Sequence, residues 1–354
     1  MSRLQLCASG LAALMALPLL PATAAAQVYP ERIVVKERAR LVGSAYQRRN
    51  RDDQNRQTQT ERTTKTLRLG SDGVLELGNI AGDITVTRGN GGETSVEIVK
   101  TARGRDMDDV REQLQMVTVD VMERSGRAEI KTRYPGENRR GDRRNVNVSV
   151  DYNVTAPAGT RLTIETISGS VKVTDIKGEV NANSISGDVR ISGAGRVGSA
   201  KTISGTVEIN EAQVDGPLDA SSVSGDVVLR RVKARRIEAG SVSGDIKLEE
   251  IQSDRVEAHS TSGSISYSGG LVKNGRYEFN SFSGEIRLWV PAGSGFEVDA
   301  NSFSGEVRTE DLPITVRGSE GRSGRRKVLH GTYGDGGAIL DLTTFSGSII
   351  ISKR

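Results

Sequence analysis

Nine serines stand before a glycine in one repeated local setting, and a serine recurring in this way is the first feature of the chain that could do chemistry. The pairs are Ser168-Gly169, Ser186-Gly187, Ser204-Gly205, Ser224-Gly225, Ser243-Gly244, Ser262-Gly263, Ser283-Gly284, Ser304-Gly305 and Ser346-Gly347. Each sits in a unit such as "VNANSISGDVRI" or "VDANSFSGEVRT". A nucleophilic serine requires its own base and its own donors for a developing oxyanion. Nine equivalents cannot each have both, so the pairs read as architecture.

Carboxylates are the second possibility. The residue after each glycine runs Ser170, Asp188, Thr206, Asp226, Asp245, Ser264, Glu285, Glu306, Ser348. If successive units stack, Asp226 lies beside Asp245 and Glu285 beside Glu306, about 5 Å apart in backbone. Such pairs could share a proton or hold calcium with an arginine nearby. Yet a basic residue often follows two positions on, as in Asp188/Arg190 and Glu285/Arg287. That alternation limits like-charge repulsion on a sheet face and points to a charge ladder. His259 and His330 lack metal-ligand spacing, and the single cysteine, Cys7, precedes the apolar stretch of the N-terminus. No catalytic residue, metal site or cofactor is expected.

The elements that must hold these residues follow from the spacing. The pairs are separated by 18, 18, 20, 19, 19, 21, 21 and 42 residues, a repeat that signals a solenoid. The last interval reads as two periods of 21 containing one coil without the pair. Within "VNANSISGDVRI", Val180, Ala182 and Ser184 share one face, whereas Ile185, Val189 and Ile191 share the other parity. The chain must therefore turn a corner, for which glycine supplies the close approach. The expected inward columns are Ile167, Ile185, Ile203, Val223, Val242, Thr261, Phe282, Phe303 and Phe345, and Val171, Val189, Val207, Val227, Ile246, Ile265, Ile286, Val307 and Ile349. The pair serines are expected to bond to neighbouring coils. Burying about four or five side chains per coil, at roughly 1.5–3 kcal/mol each, cannot order one coil alone; a stack can. The predicted fold is all-β: a parallel β-helix or β-solenoid of about nine or ten coils over residues 161–354, roughly 45 Å long. Residues 67–160 form a small β-rich N-terminal cap with one short helix, on which Val110, Leu114 and Val117 share a face; "GENRRGDRR" (136–144) is a polar hairpin tip.

The ends set the compartment. Residues 1–26 have a positive start, a short apolar core and small residues before the expected cleavage point, which is the pattern of an export signal. Residues 27–66 read as a flexible basic linker; between 31 and 66, ten Lys/Arg face five Asp/Glu. The whole chain carries +4, so the folded part is nearly neutral. Other clusters that could contact an anionic polymer are Arg230, Arg231, Lys233, Arg235 and Arg236 on one coil, and Arg322, Arg325, Arg326 and Lys327 in a loop over 317–337. Nucleic acid is not expected, because aromatics make up only 4% of the chain and none interleave with the basic residues. No segment is long enough to be a transmembrane span.

The entry "GNIAGDITVTRG", the acidic helix, the junction "APAGTRLTIETISGSV" and the serial "SGDV" and "SGDI" coils resemble the bacterial DUF4097 proteins, described as putative adhesins, over about residues 67–354. The resemblance implies an exported or envelope-associated β-solenoid with no established catalytic residues to transfer. The function expected is non-enzymatic, adhesin-like binding at the periplasm, envelope or cell surface, to an anionic envelope polymer or a surface protein. Two alternatives stand beside it: a scaffold self-associating through its terminal coils, and a polysaccharide-active β-helix enzyme.

Overall fold

The computed structural model describes residues 56–135, 146–316 and 327–354. The expected export signal, the linker as far as residue 55, the tip at 136–144 and Arg322, Arg325 and Arg326 lie outside the described residues.

Alternating side chains build the strands. In Glu179–Ser186, Val180, Ala182 and Ser184 are buried and their neighbours are not; in Val189–Ser192 the buried residues are Val189 and Ile191. Branched side chains at such positions favour the extended backbone. One longer strand ending in Ser-Gly, a corner and one shorter strand make a rung. Rungs pair in parallel and in register, so Ala182 lies between Ile164 and Ala200, and Val189 between Val171 and Val207. The long strands form one sheet, the short strands another, and the core lies between them. Every member of the column from Val171 to Ile349 is buried, as expected. At the second corner Asp175, Glu211, Arg231, Glu250 and Asp311 adopt φ between 51° and 59°. Register shifts at Val180/Asn181, Val214/Pro217 and Glu249/Ile251 absorb the uneven repeat lengths.

The glycine of each pair is fixed by close approach. A Cβ on Gly187 would lie 2.2 Å from the carbonyl oxygen of Gly169, and one on Gly205 would lie 2.3 Å from that of Gly187. The contact repeats from Gly169 on Gly82 through to Gly305 on Gly347, always below the distance a real Cβ tolerates. Most of these glycines also extend the ladder, Gly187 N–H donating to Ser204 O at 3.0 Å.

Several boundaries differ from the sequence reading. The first rung lies inside the expected cap: Val74–Ala81 pairs in parallel with Arg161–Ser168, and Ile84–Arg88 with Val171–Thr174. Ala81-Gly82 takes the place of Ser-Gly there, which hides it from a search keyed on serine. Gln57–Leu67, read as linker up to Thr66, is a strand antiparallel to Thr94–Gly104; its Thr-rich sequence suits an exposed edge. The segments flanking 136–144 do not form a hairpin. Arg127–Arg133 pairs with Val74–Ala81 in the long-strand sheet, and Val148–Ala156 pairs with Ile84–Arg88 in the other. The helix, Met107–Met116, is present; Asp106 caps it by accepting from Asp109 N–H at 2.8 Å, and Val110, Leu114 and Val117 are buried.

The 42-residue interval contains no silent coil. After Phe296–Ser302 and Val307–Glu310, the chain adds Val328–Tyr333 antiparallel to Phe296–Ser302. It then returns so that Ala338–Ser346 lies between Arg276–Ser283 and Phe296–Ser302. Ile349–Lys353 likewise lies between Ile286–Val290 and Val307–Glu310. Chain order and stacking order are thus exchanged at this end.

The glycine contact makes a direct prediction. Gly205→Ala forces a methyl into backbone and should lower stability by about 3–5 kcal/mol, read as the shift of the urea midpoint. Gly216, where an added methyl would find nothing within 4 Å, serves as the control; Gly216→Ala should stay within about 0.5 kcal/mol.

Candidate functional surface

The hydroxyls that join rungs are not those of the pair serines. Ser168 and its eight counterparts are exposed at the corner. The joining hydroxyl stands two residues earlier, buried and pointing at the glycine carbonyl of the rung before. Ser184 donates to Gly169 O at 3.1 Å, Thr202 to Gly187 O at 2.9 Å, Ser222 to Gly205 O at 2.9 Å and Ser241 to Gly225 O at 3.1 Å. Ser260, Ser281, Thr344 and Ser302 continue the series. In the first rung Asn79 holds this position and donates to Gly82 O and to Val150 O. It thereby takes the carbonyl that Thr166 would use, and the Thr166 hydroxyl is buried without a partner.

Because the hydroxyl faces inward, the apolar residue after it faces out. The column expected inside the core is exposed: Ile167 47%, Ile185 46%, Ile203 48%, Val223 44%, Val242 47%, Phe282 58%, Phe345 45% and Phe303 65%. Thr261 is exposed with them. Phe282, Phe345 and Phe303 stack in that order, with centroids 4.9 and 4.7 Å apart and rings nearly parallel. A groove runs beside the column at each end. One, of about 630 Å³, is lined by Ile80, Ile167 and Ile185 with Asn79, Lys131 and Asn183. The other, of about 500 Å³, lies beside the three phenylalanines. The columns on either side of the ridge are nearly uncharged. One consists of the exposed pair serines, the other of Glu165, Asn183, Lys201, Ser221, Gly240, His259, Asn280, Thr343 and Asn301.

The aspartates after glycine are engaged with the backbone. Asp188 accepts from Thr206 N–H at 2.8 Å, Asp226 from Asp245 N–H at 2.9 Å, and Asp245 from Ser264 N–H at 2.9 Å. Lys247 lies 3.4 Å from Asp226. Glu285 and Glu306 are not neighbours, because the rung carrying Ser348 lies between them; each pairs with the arginine two residues on. Of the expected basic cluster, Arg230 pairs with Glu208 and Glu249, Arg231 with Glu211, and Arg236 with Glu257. Lys233 and Arg235 line a shallow groove with Gln213 and Asp254, and Lys327 donates to Phe303 O at 3.0 Å. Tyr267 is a core residue, packed against Tyr277 and Phe279.

A second acidic column runs along the outer face of the long-strand sheet, where Asp341 lies between Glu278 and Asp299. Partial burial first, and then these two carboxylates, push the Asp341 carboxyl above its ordinary value of 3.8. In Glu257, burial acts in the same direction, but Arg236 and Arg255 outweigh it and hold the group below its ordinary value.

The Asp341 shift has a definite sign. A raised folded value means that the fold binds this proton more tightly than the unfolded chain, so ionisation opposes folding at neutral pH. Asp341→Asn should therefore raise the melting temperature at pH 7 by a small amount, within about 0.5 kcal/mol. The gain should shrink as pH falls through the raised value, where the wild-type carboxyl is already neutral in the fold. Paired melts at pH 7 and pH 3.5 check it.

No helix among the described residues is long and apolar enough to cross a membrane, and no group of His, Cys, Asp or Glu among them is arranged to hold a metal ion. No curated protein matches the chain. Among solved structures, it is similar to a putative adhesin from Bacteroides fragilis NCTC 9343, at 14% identity, covering 83% of this chain and 97% of that one, with a TM-score of 0.39. It is similar to a putative adhesin from Parabacteroides distasonis ATCC 8503, at 11% identity with the same coverage and a TM-score of 0.44. A putative lipid binding protein from that organism shows 16% identity, again with 83% and 97% coverage, and a TM-score of 0.43. The profile of the family described as Toastrack DUF4097 matches residues 61–240 and 232–352. Together the two matches span nearly the whole described structure, and the chain belongs to the Toastrack DUF4097 family.

Proposed function

We propose that this is an exported, non-enzymatic β-solenoid of nine or ten coils that acts by contact, as an adhesin-like protein of the periplasm, envelope or cell surface. The observation that carries the reading is the regular exposed surface. Exposed polar and charged side chains recur in register from rung to rung on the outer faces of both sheets, about 4.8 Å apart, which suits an extended partner better than a small substrate. The partner class that fits is an envelope polymer or surface protein. The basic segment over 27–66 would add salt-sensitive attachment to an anionic one. Against the enzyme alternative stands the use of Asp226 and Asp245 as backbone acceptors, which leaves them poorly placed as a poised acid and base.

Co-sedimentation with purified insoluble envelope polymers tests the reading, using the full chain beside a chain beginning at Arg56, where the compact unit starts. Both should be retained at physiological salt. Retention of the full chain alone, lost as salt rises, would assign binding to the basic N-terminal segment and remove the reading of the stack as the binding surface.

A further inference from the structure

The exposed apolar column is one contiguous strip along the stack. Nine side chains, eight of them apolar and each close to half exposed or more, form one ridge. Ile80, half-buried in the first rung, extends it. Isolated soluble proteins rarely show contiguous apolar patches beyond a few hundred Å². Interface centres combine this content with loss of charge and gain of aromatics. Here Glu165 and Lys201 are the only carboxylate and lysine in the two flanking columns, while salt bridges cover the faces further out.

The pattern along the ridge identifies the occupant. From the N-terminal end, in stacking order, it reads Ile80, Ile167, Ile185, Ile203, Val223, Val242, Thr261, Phe282, Phe345, Phe303. Medium residues lie at one end, small ones in the middle and large ones at the other. A partner that meshes with such a ridge needs the same repeat of about 4.8 Å, which a second copy of this chain possesses. Laid parallel, two copies would set phenylalanine against phenylalanine and isoleucine against isoleucine, giving a wedge. Laid antiparallel about a two-fold axis between Val223 and Val242, Ile80, Ile167 and Ile185 of one copy face Phe303, Phe345 and Phe282 of the other. Those three isoleucines line the groove of about 630 Å³. The projecting phenylalanine ridge of each copy thus meets the groove of its mate at both ends, as an isologous contact requires. The two flanking columns carry little charge; of the cations at the ends, Lys327 lies over Phe303, while Lys131 and Arg133 in the groove are paired with Glu129 and Asp120 and have Glu165 beside them. Half-exposed side chains over ten rungs, with their flanking columns, supply on the order of the 800 Å² per partner of a standard interface.

We infer that two copies of this chain pair side by side and antiparallel through the ridge from Ile80 to Phe303. The pairing is independent of the surface-binding reading, since it uses the ridge and leaves the charged faces of both sheets outward.

Sedimentation velocity of the full chain over a concentration series should show a monomer–dimer equilibrium. Ile185→Asp and Phe345→Asp, at opposite ends of the ridge, should each weaken it at least ten-fold. Both side chains are exposed, so circular dichroism should show either variant folded; if the loss of ring stacking impairs Phe345→Asp, Ile185→Asp still decides. Orientation is read by oxidation in a Cys7→Ser background. Ile185→Cys together with Phe282→Cys should give a disulfide-linked dimer, because the two positions are five rungs apart in one chain and opposite each other across the pair. A wild-type chain that stays monomeric at the highest concentration, or a dimer indifferent to both aspartates, overturns the pairing. Cross-linking of Ile185→Cys alone, with the double variant no better, overturns the antiparallel arrangement.

Discussion

The structure depends on a contact with no room in it. Along one corner of the stack, glycine backbones rest against each other so closely that a methyl group would fall 1.8–2.3 Å from the carbonyl oxygen of the next rung. Those carbonyls are held from the side by a buried serine or threonine hydroxyl. A neutral hydrogen bond of this kind contributes about 1 kcal/mol, but its geometric effect is larger. It turns the residue before the corner inward and therefore turns the one after it outward. The exposed ridge is a result of how the corner is tied.

Much of this is legible in the residues, and the part that is not has a specific cause. Period, parity and the glycine requirement locate the rungs, and the column from Val171 to Ile349 is buried as expected. The column from Ile167 to Phe345 is assigned to the interior by the preference of apolar residues for it, a rule that holds in one direction only. The alternative, a serine inward and an isoleucine outward, has the same alternation and differs only by a hydroxyl-to-carbonyl bond across rungs. A signal is present in the side-chain sizes. The buried column varies only between valine and isoleucine, whereas the exposed one ranges from threonine to phenylalanine, more than a close-packed interior tolerates at one level. Asn79 and Ala81 conceal the first rung in the same way, by meeting the corner's demands with different atoms.

Charge on the two sheets does mainly structural work. Asp188, Asp226 and Asp245 accept backbone N–H groups, and Arg230, Arg231 and Arg236 of the expected polymer-binding cluster pair with glutamates on neighbouring rungs. Most of these pairs are well exposed, and each contributes little by itself. Their joint effect is to give the flat faces a balanced surface, in contrast to the uncharged strip around the ridge. Candidate surfaces read from clusters of basic residues therefore point away from the part of the molecule whose composition is most unusual.

The exchange of order at one end makes completion of the stack depend on the last segment of the sequence. A chain emerging N-terminus first can lay each rung on its predecessor as far as Arg276–Val290. The next stretch, Phe296–Glu310, has no permanent seat until Ala338–Lys353 has followed it and slipped into the gap. Without that last segment, Arg276–Val290 and Phe296–Glu310 lose the parallel partner that each has there. The inserted segment acts as a keystone: pairing on both sides, it closes the gap between the rung that precedes it in the stack and the terminal one.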